Sequence, residues 1–334
     1  MNVDLNAVIG ELKQRRRKSP DMKVATMTVV AFFDEEVVGG WVCDRIHMLA
    51  VKHPSRVIIL DGTKDDDQHT FGSSCPEHDE CVKTGDWVEL GVRGINPNLL
   101  PSAIAALVLP EAPRVLIWVA TGVKTDPRFE ALAPIVGTIV FNTSVLTYDD
   151  AALGELAAFA RERGTATITD LAYLRLYPWQ EAIAQFFDHS ATFHDLFSVN
   201  RVEITCGSDP EALYLFGWLA SRLGWKAAGR NLYRSATGEP IEIAIVRKGL
   251  PRRILKIELS SASTRFVAEI DDERAEAIML SVTGEKTHPG RARPINNIDL
   301  AALVERAILT GHTDTVFQES LLAAGELIEK RRDS

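Results

Sequence analysis

The chain has 334 residues, 46% hydrophobic and 25% charged, the balance of a globular protein, and its length favours two domains over a single core. A net charge of −9 argues against general nucleic-acid binding, which needs basic surface to displace counterions. No apolar run is long enough to span a bilayer, the first twenty residues lack the order of a signal peptide, and four cysteines are too few for a disulfide-stapled secreted protein, so the expected location is the cytoplasm.

Residues 1–22 read as a short helix (Val3, Leu5, Val8, Ile9, Leu12) that ends in the basic cluster Arg15-Arg16-Arg17-Lys18 and a linker. Lys23–Phe33 is β-branched and apolar, which predicts a buried strand. Asp34-Glu35-Glu36 then opens a helix through Val51, with acids in the first turn where the helix dipole favours them. Arg56–Leu60 and Trp87–Val92 are short strands, and Asn98–Leu109 is helical with Pro101 in its first turn. Arg114–Ala120 is a buried strand, Phe129–Leu132 a short helix and Gly137–Asn142 another strand. Asp149–Arg163 is a helix rich in Ala, Leu and Glu, closed by Gly164. This alternation predicts an α/β domain over residues 23–170 with a mostly parallel, Rossmann-like sheet.

Residues 171–334 follow a different pattern. Pro178 suits the start of a helix, because its φ is already helical and its missing N–H is no loss there. Trp179, Ile183 and Phe187 recur every four residues with Phe186 alongside, so Pro178–Asp188 is an amphipathic helix whose apolar stripe faces a core. Arg175 lies between Leu174 and Leu176, where a guanidinium needs a carboxylate, phosphate or carbonyl partner; an internal salt bridge is the expectation. Asn200–Cys206 is a strand, followed by a helix capped at Asp209, striped by Leu213, Phe216, Leu219 and Leu223 and stopped by Gly224. Ile241, Ile243 and Ile245 then share one strand face, as do Leu255, Ile257 and Leu259, and Phe266, Ala268 and Ile270. Such a run of hairpins predicts an antiparallel sheet. Helices Leu300–Leu309 and Thr315–Arg331 close the chain, making this second domain α+β.

Chemistry-bearing residues gather in a few places. HTFGSSCPEHDEC offers His69, Cys75, His78 and Cys81, with three open readings: a zinc site, a Cys75–Cys81 disulfide, or a solvated loop with reduced thiols. The spacing is not the usual pair of closely spaced zinc couples, and the solvated loop is preferred. Three predicted strand ends carry small or hydroxyl residues: Asp61-Gly62-Thr63, Ala120-Thr121-Gly122 and Asn142-Thr143-Ser144. Open α/β sheets bind ligands at such ends, although every fold of this class also has turns of this kind. THPGRARP, with His288, Arg291 and Arg293, reads as a basic loop. No P-loop, Gly-x-Gly-x-x-Gly, His-Glu-x-x-His or nucleophile-elbow pattern occurs.

The segment Thr169–Asp188, TDLAYLRLYPWQEAIAQFFD, resembles the signature of the OpcA family, the glucose-6-phosphate dehydrogenase assembly proteins. ATMTVVAF, His53–Leu60, Val199–Thr205, LFGWLASRLGW over Leu215–Trp225 and TDTVFQESLLAAGELI resemble further pieces of the family in the same order. The resemblance implies a non-catalytic protein that binds and activates glucose-6-phosphate dehydrogenase, with NADP and sugar phosphate held by the dehydrogenase. It implies neither a cofactor nor a metal in this chain. Expected contact residues are Arg175, Tyr177, Trp179, Arg291 and Arg293, since Arg and aromatic residues are enriched among interface anchors. The last cysteine is Cys206, so no cysteine switch near the C-terminus is expected. The alternative is a sugar-phosphate-binding or -hydrolysing α/β module that uses the strand-end loops.

Overall fold

A computed structural model describes residues 5–18, 24–65, 67–72, 86–120, 122–146, 150–162, 167–188, 190–250, 253–270, 276–284, 288–295, 300–309 and 314–333. They divide into two units. The first takes Met1–Asn142, Thr165–Leu171 and Asp299–Thr313; the second takes Thr143–Gly164, Ala172–Ile298 and Asp314–Ser334.

The first unit begins with α1 (Leu5–Lys18), which buries Val8 and Leu12. Strand β1 (Met27–Phe33) follows, and all seven of its residues are buried. A strand covered on both faces has no polar side to display, hence its apolar sequence, interrupted by Thr28, whose buried hydroxyl accepts from the Leu109 N–H at 3.0 Å. Then come α2 (Glu36–Lys52), β2 (Ser55–Asp65), β3 (His69–Gly72), β4 (Trp87–Arg93), α3 (Leu100–Leu107), β5 (Arg114–Val119), α4 (Pro127–Leu132), β6 (Thr138–Phe141) and β7 (Thr167–Asp170). The sheet order is β3-β4-β2-β1-β5-β6-β7. All neighbours are parallel except β3, which runs antiparallel to β4. This is the expected mostly parallel sheet. The chain builds outward from β1 through β2 to β4, then returns to lay β5, β6 and β7 on the other side. The switch point therefore lies between β1 and β5. Rings pack beneath it: Phe32 stacks on Trp118 at 4.3 Å, and Phe129 meets Trp118 edge-on at 5.0 Å.

The second unit contains α5 (Thr143–Leu146), α6 (Ala151–Glu162), α8 (Tyr177–Gln185) and α9 (Ser190–Phe193); α7 (Leu171–Leu174) precedes α8. Its sheet is built from β8 (Arg201–Cys206), β9 (Lys226–Gly229), β10 (Leu232–Arg234), β11 (Pro240–Arg247), β12 (Ile254–Ser260), β13 (Thr264–Glu269), β14 (Ala277–Gly284) and β15 (His288–Pro294). Helix α10 (Asp209–Leu223) lies between β8 and β9 in sequence. The strand order is β15-β14-β13-β12-β8-β11-β10-β9.

The expected antiparallel sheet proves to be mixed, because β11 pairs with β8 in parallel. Helix α10 carries the chain back along β8, so β9 starts in the direction of β8. Two further reversals, through β10, return β11 to that direction. Three local expectations are also corrected. His288–Pro294 is a strand paired with β14 rather than a loop. A register shift between Ile254 and Lys256 turns Ile254 inward with Ile257 and Leu259 and leaves Leu255 half-buried. The cap of α10 is Ser208 rather than Asp209, while Gly224 ends that helix at φ 68° as anticipated.

Two more helices end the chain: α11 (Leu300–Leu309), which belongs to the first unit, and α12 (Thr315–Arg332), which belongs to the second. Glu305 of α11 takes His53 at 2.7 Å and Lys52 at 3.2 Å from the end of α2. Asp314 caps α12 by accepting from the Val316 N–H at 2.8 Å. Helix α12 packs on α10 and on α6 through glycines. A Cβ added at Gly217 would stand 2.1 Å from the Ser320 carbonyl oxygen, and one at Gly325 would stand 2.6 Å from the Ala157 Cβ. Gly217→Ala must therefore push α10 and α12 apart, at a cost of about 1–3 kcal/mol. Urea unfolding should show it as a lower midpoint with an unchanged slope.

The face of the second sheet away from Val202 and Ile204 carries charge. Glu258 accepts from Arg265 and from Lys256, the latter at 2.9 Å. Burial alone would raise the Glu258 pKa, but the two cations outweigh it and bring it down from 4.5 to about 2. A carboxyl depressed on folding stabilises the protein above its unfolded pKa, and that contribution is lost as pH falls through the folded value. Between about 4.5 and about 2, Glu258→Gln should lose less stability than the parent, as followed by thermal melts across that range.

Candidate functional site

In the first unit, the C-terminal ends of β1, β4 and β5 open into a crevice of about 500 Å³. Its walls include Asp34 after β1, Gly94 and Ile95 after β4, and Gly122, Asp126 and Arg128 after β5. The Asp126-Pro127 pair starts α4 in the ordinary way. Asp126 Oδ1 accepts from the Arg128 N–H at 2.8 Å, and the proline occupies the first turn, where no N–H is needed. That cap aims the Arg128 side chain back at its own helix start. Its Nη2 lies 2.6 Å from Asp126 Oδ2 and 3.6 Å from Asp34 Oδ2, with the guanidinium 4.5 Å from the centre of the Phe32 ring. Burial raises the Asp34 pKa; Arg128 opposes the rise, and Asp126 and Glu35 add to it.

The predicted strand-end loops fare differently. Asp61 is buried, and its Oδ1 accepts from the Thr63 N–H at 2.8 Å and the Thr63 hydroxyl at 2.6 Å. Lys64 lies 3.3 Å from the same carboxylate and also pairs with Glu89. Ala120 is buried, Thr121 lies outside the described residues, and the Gly122 carbonyl accepts from Trp118 Nε1 at 3.0 Å. Asn142, Thr143 and Ser144 are all buried. The crevice residues Asp126 and Arg128 escaped the sequence reading, although Asp-Pro ahead of an apolar segment is a helix-start signal that would have flagged the first of them.

Of the possible zinc or redox residues, His69 is exposed on β3 opposite Leu90, while Cys75, His78 and Cys81 lie outside the described residues. Among the described residues, no group of three or more His, Cys, Asp or Glu is placed to hold a metal ion. Cys43 and Cys206 are both buried. Burial, reinforced by Glu211 and Asp209, pushes the Cys206 thiol up to about 12, so it stays protonated and poorly nucleophilic.

In the second unit, the signature segment folds around buried polar contacts. Arg175 sits in the turn between α7 and α8, and its Nη2 donates to Glu211 Oε1 at 3.1 Å and to the Ser144 hydroxyl. Glu211 is 1% exposed, and its other oxygen accepts from the Ser208 hydroxyl at 2.8 Å. The expected internal salt bridge is therefore present, and its partner is the first-turn acid of α10. Trp179, Ile183, Phe186 and Phe187 are buried, with both phenylalanines against Phe266 of β13 at 5.5 and 5.0 Å. Tyr177 is half-buried, donates to Asp314 Oδ2 at 3.3 Å and meets Tyr173 edge-on. Tyr173 also packs against Tyr214 and Phe317, and burial raises its pKa to about 12. On the outward side of α8, Glu181 is exposed and pairs with Arg293 of β15. Arg291 lies on β15 opposite Leu280.

Solved structures of similar fold include a 3-ketoreductase from Actinomadura kijaniata, determined in complex with NADP and TDP-benzene. It superposes with a TM-score of 0.56 over 92% of this chain and 97% of that one, at 13% identity. At that identity the likeness concerns the fold alone. Among curated proteins, an OxPP cycle protein OpcA from Synechocystis is 28% identical over 58% of this chain and 41% of its own length. A second, from Synechococcus elongatus, is 28% identical over 64% of this chain and 49% of its own length. A third, from Nostoc punctiforme, is 24% identical over 83% of this chain and 63% of its own length. The chain thus spans roughly half the length of the curated relatives it matches. A family model described as the glucose-6-phosphate dehydrogenase subunit N-terminal domain matches residues 46–158, and the corresponding C-terminal domain matches residues 166–321. Matched by both models, in order and over most of its length, the chain belongs to the OpcA family.

Proposed function

We propose that this protein is a non-catalytic partner of glucose-6-phosphate dehydrogenase that favours the active conformation or oligomer of the enzyme. The observation that carries this reading is the pair of family matches, both described as domains of a glucose-6-phosphate dehydrogenase subunit. The mechanism is differential binding. A partner that prefers the competent state by about 1–3 kcal/mol shifts the apparent affinity roughly 5–150-fold. The dehydrogenase performs hydride transfer and holds NADP and the sugar phosphate, and the two proteins meet in the cytoplasm. The contact surface is the outward side of α8 with Tyr177 and Glu181, joined by Arg291 and Arg293 of β15. Arg175 and Trp179 act from beneath by holding that helix in place. The commitment of Asp61 to Thr63 and Lys64 weighs against the sugar-phosphate alternative.

The test is to titrate the dehydrogenase from the same genome with the purified chain and run the mixture on a sizing column. Co-elution with raised turnover or a lowered substrate requirement is the expected result. Separate elution without a kinetic effect, under reducing and oxidising conditions alike, overturns the reading.

A further inference from the structure

We infer that the switch-point crevice of the first unit has lost the dinucleotide site its fold would offer, through inversion of the charge in its anion cradle. In parallel sheets of this kind, a pyrophosphate sits at the switch point, against glycines after the first strand and the free N–H groups of the following helix. Here the turn from β1 to α2 reads Phe33-Asp34-Glu35-Glu36. It holds no glycine and sets three carboxylates at the start of α2, Asp34 in the crevice wall and Glu35 and Glu36 exposed next to it in the chain. Asp34 lines the crevice, Glu35 is the cap of α2, and Glu36 is the first residue of that helix. Asp126 adds a fourth carboxylate from the wall after β5. Arg128, the cation of the crevice, is already engaged: Asp126 and Asp34 flank it and the Phe32 ring covers one face.

The ribose end is closed by a separate device. Dinucleotide sites of this fold use an acid beyond the second strand to hold the ribose hydroxyls. The acid aligned with the end of β1 is Asp61 on β2, opposite Phe33. It is 3% exposed and bound to Thr63 and Lys64. A ribose would have to break those contacts before making its own. Gly39, the first glycine of α2, serves packing instead of ligand approach, since a Cβ there would stand 2.7 Å from the Phe33 ring.

The consequence is that the protein leaves NADP free for other enzymes, the proposed dehydrogenase partner included. The inference does not depend on that partner. It is tested on the purified chain by following NADPH fluorescence and by calorimetry with inorganic pyrophosphate. The parent chain should show no saturable binding of either probe up to about 1 mM. The triple variant Asp34→Asn, Glu35→Gln, Glu36→Gln, its fold checked by circular dichroism, should bind pyrophosphate at least about tenfold more tightly than the parent. Micromolar NADPH binding by the parent overturns the inference. So does a folded triple variant that binds pyrophosphate no better than the parent.

Discussion

Replacing Arg175 by alanine is expected to remove about 3–5 kcal/mol of folding stability, the usual cost of stripping one partner from a buried ion pair. Glu211 is the reason. It is 1% exposed at the start of α10, and Arg175 neutralises it at 3.1 Å. Without the guanidinium its carboxylate keeps the Ser208 hydroxyl and the dipole of its own helix. Water can reach the site from the Arg175 side, whose side chain is 21% exposed, so the loss should fall toward the lower end of the range. Urea unfolding of Arg175→Ala, Glu211→Gln and the double variant measures the coupling. The double variant should recover much of the loss, because no charge is then left unpaired. A loss below about 1 kcal/mol for Arg175→Ala would mean that Glu211 is solvated in solution, since surface pairs contribute only that much.

Trp179→Ala should cost a similar amount, about 3–5 kcal/mol, by the mechanism of a cavity in a packed core. Trp179 is 6% exposed and shares the buried side of α8 with Ile183, whose own exposure is 1%. This bears on the proposed interface. Loss of dehydrogenase activation in Trp179→Ala would follow from a damaged fold and would say nothing about contact. The contact is better probed on the outward side. Glu181→Lys together with Arg293→Glu keeps their pair but reverses its polarity, and should weaken dehydrogenase binding while thermal melts stay within a few degrees of the parent, since Glu181 is exposed and Arg293 only half-buried. Equal binding by the reversed pair would remove that surface from the proposal.

Several elements were legible because their signals are local. β1 and β5 are dominated by apolar residues, α10 has a proline at its start and Gly224 at its end, and α11 and α12 carry helical stripes; each lies within a residue or two of the position read from the sequence, except that β1 starts four residues later than expected. β3 and β7, four residues each, are too short to show a period: HTFG opens on two adjacent polar residues, and TITD holds a single apolar one. The parallel pairing of β8 with β11 is invisible locally, since a strand reads the same whichever way its neighbour runs. Arg175 announced its need for an anion through its apolar surroundings, but Glu211, 36 residues away, gave no matching signal.

The amino-acid sequence by itself determined the family, the parallel sheet and the helix ends, because these rest on short-range patterns: hydrophobic period, proline and glycine placement, and a signature segment. The tertiary structure alone decided which charges meet, that α11 joins the first unit, and that the switch-point crevice closes around Asp34, Arg128 and Asp126. Those outcomes depend on contacts between residues far apart in the chain, and such contacts come together only when the sheets form.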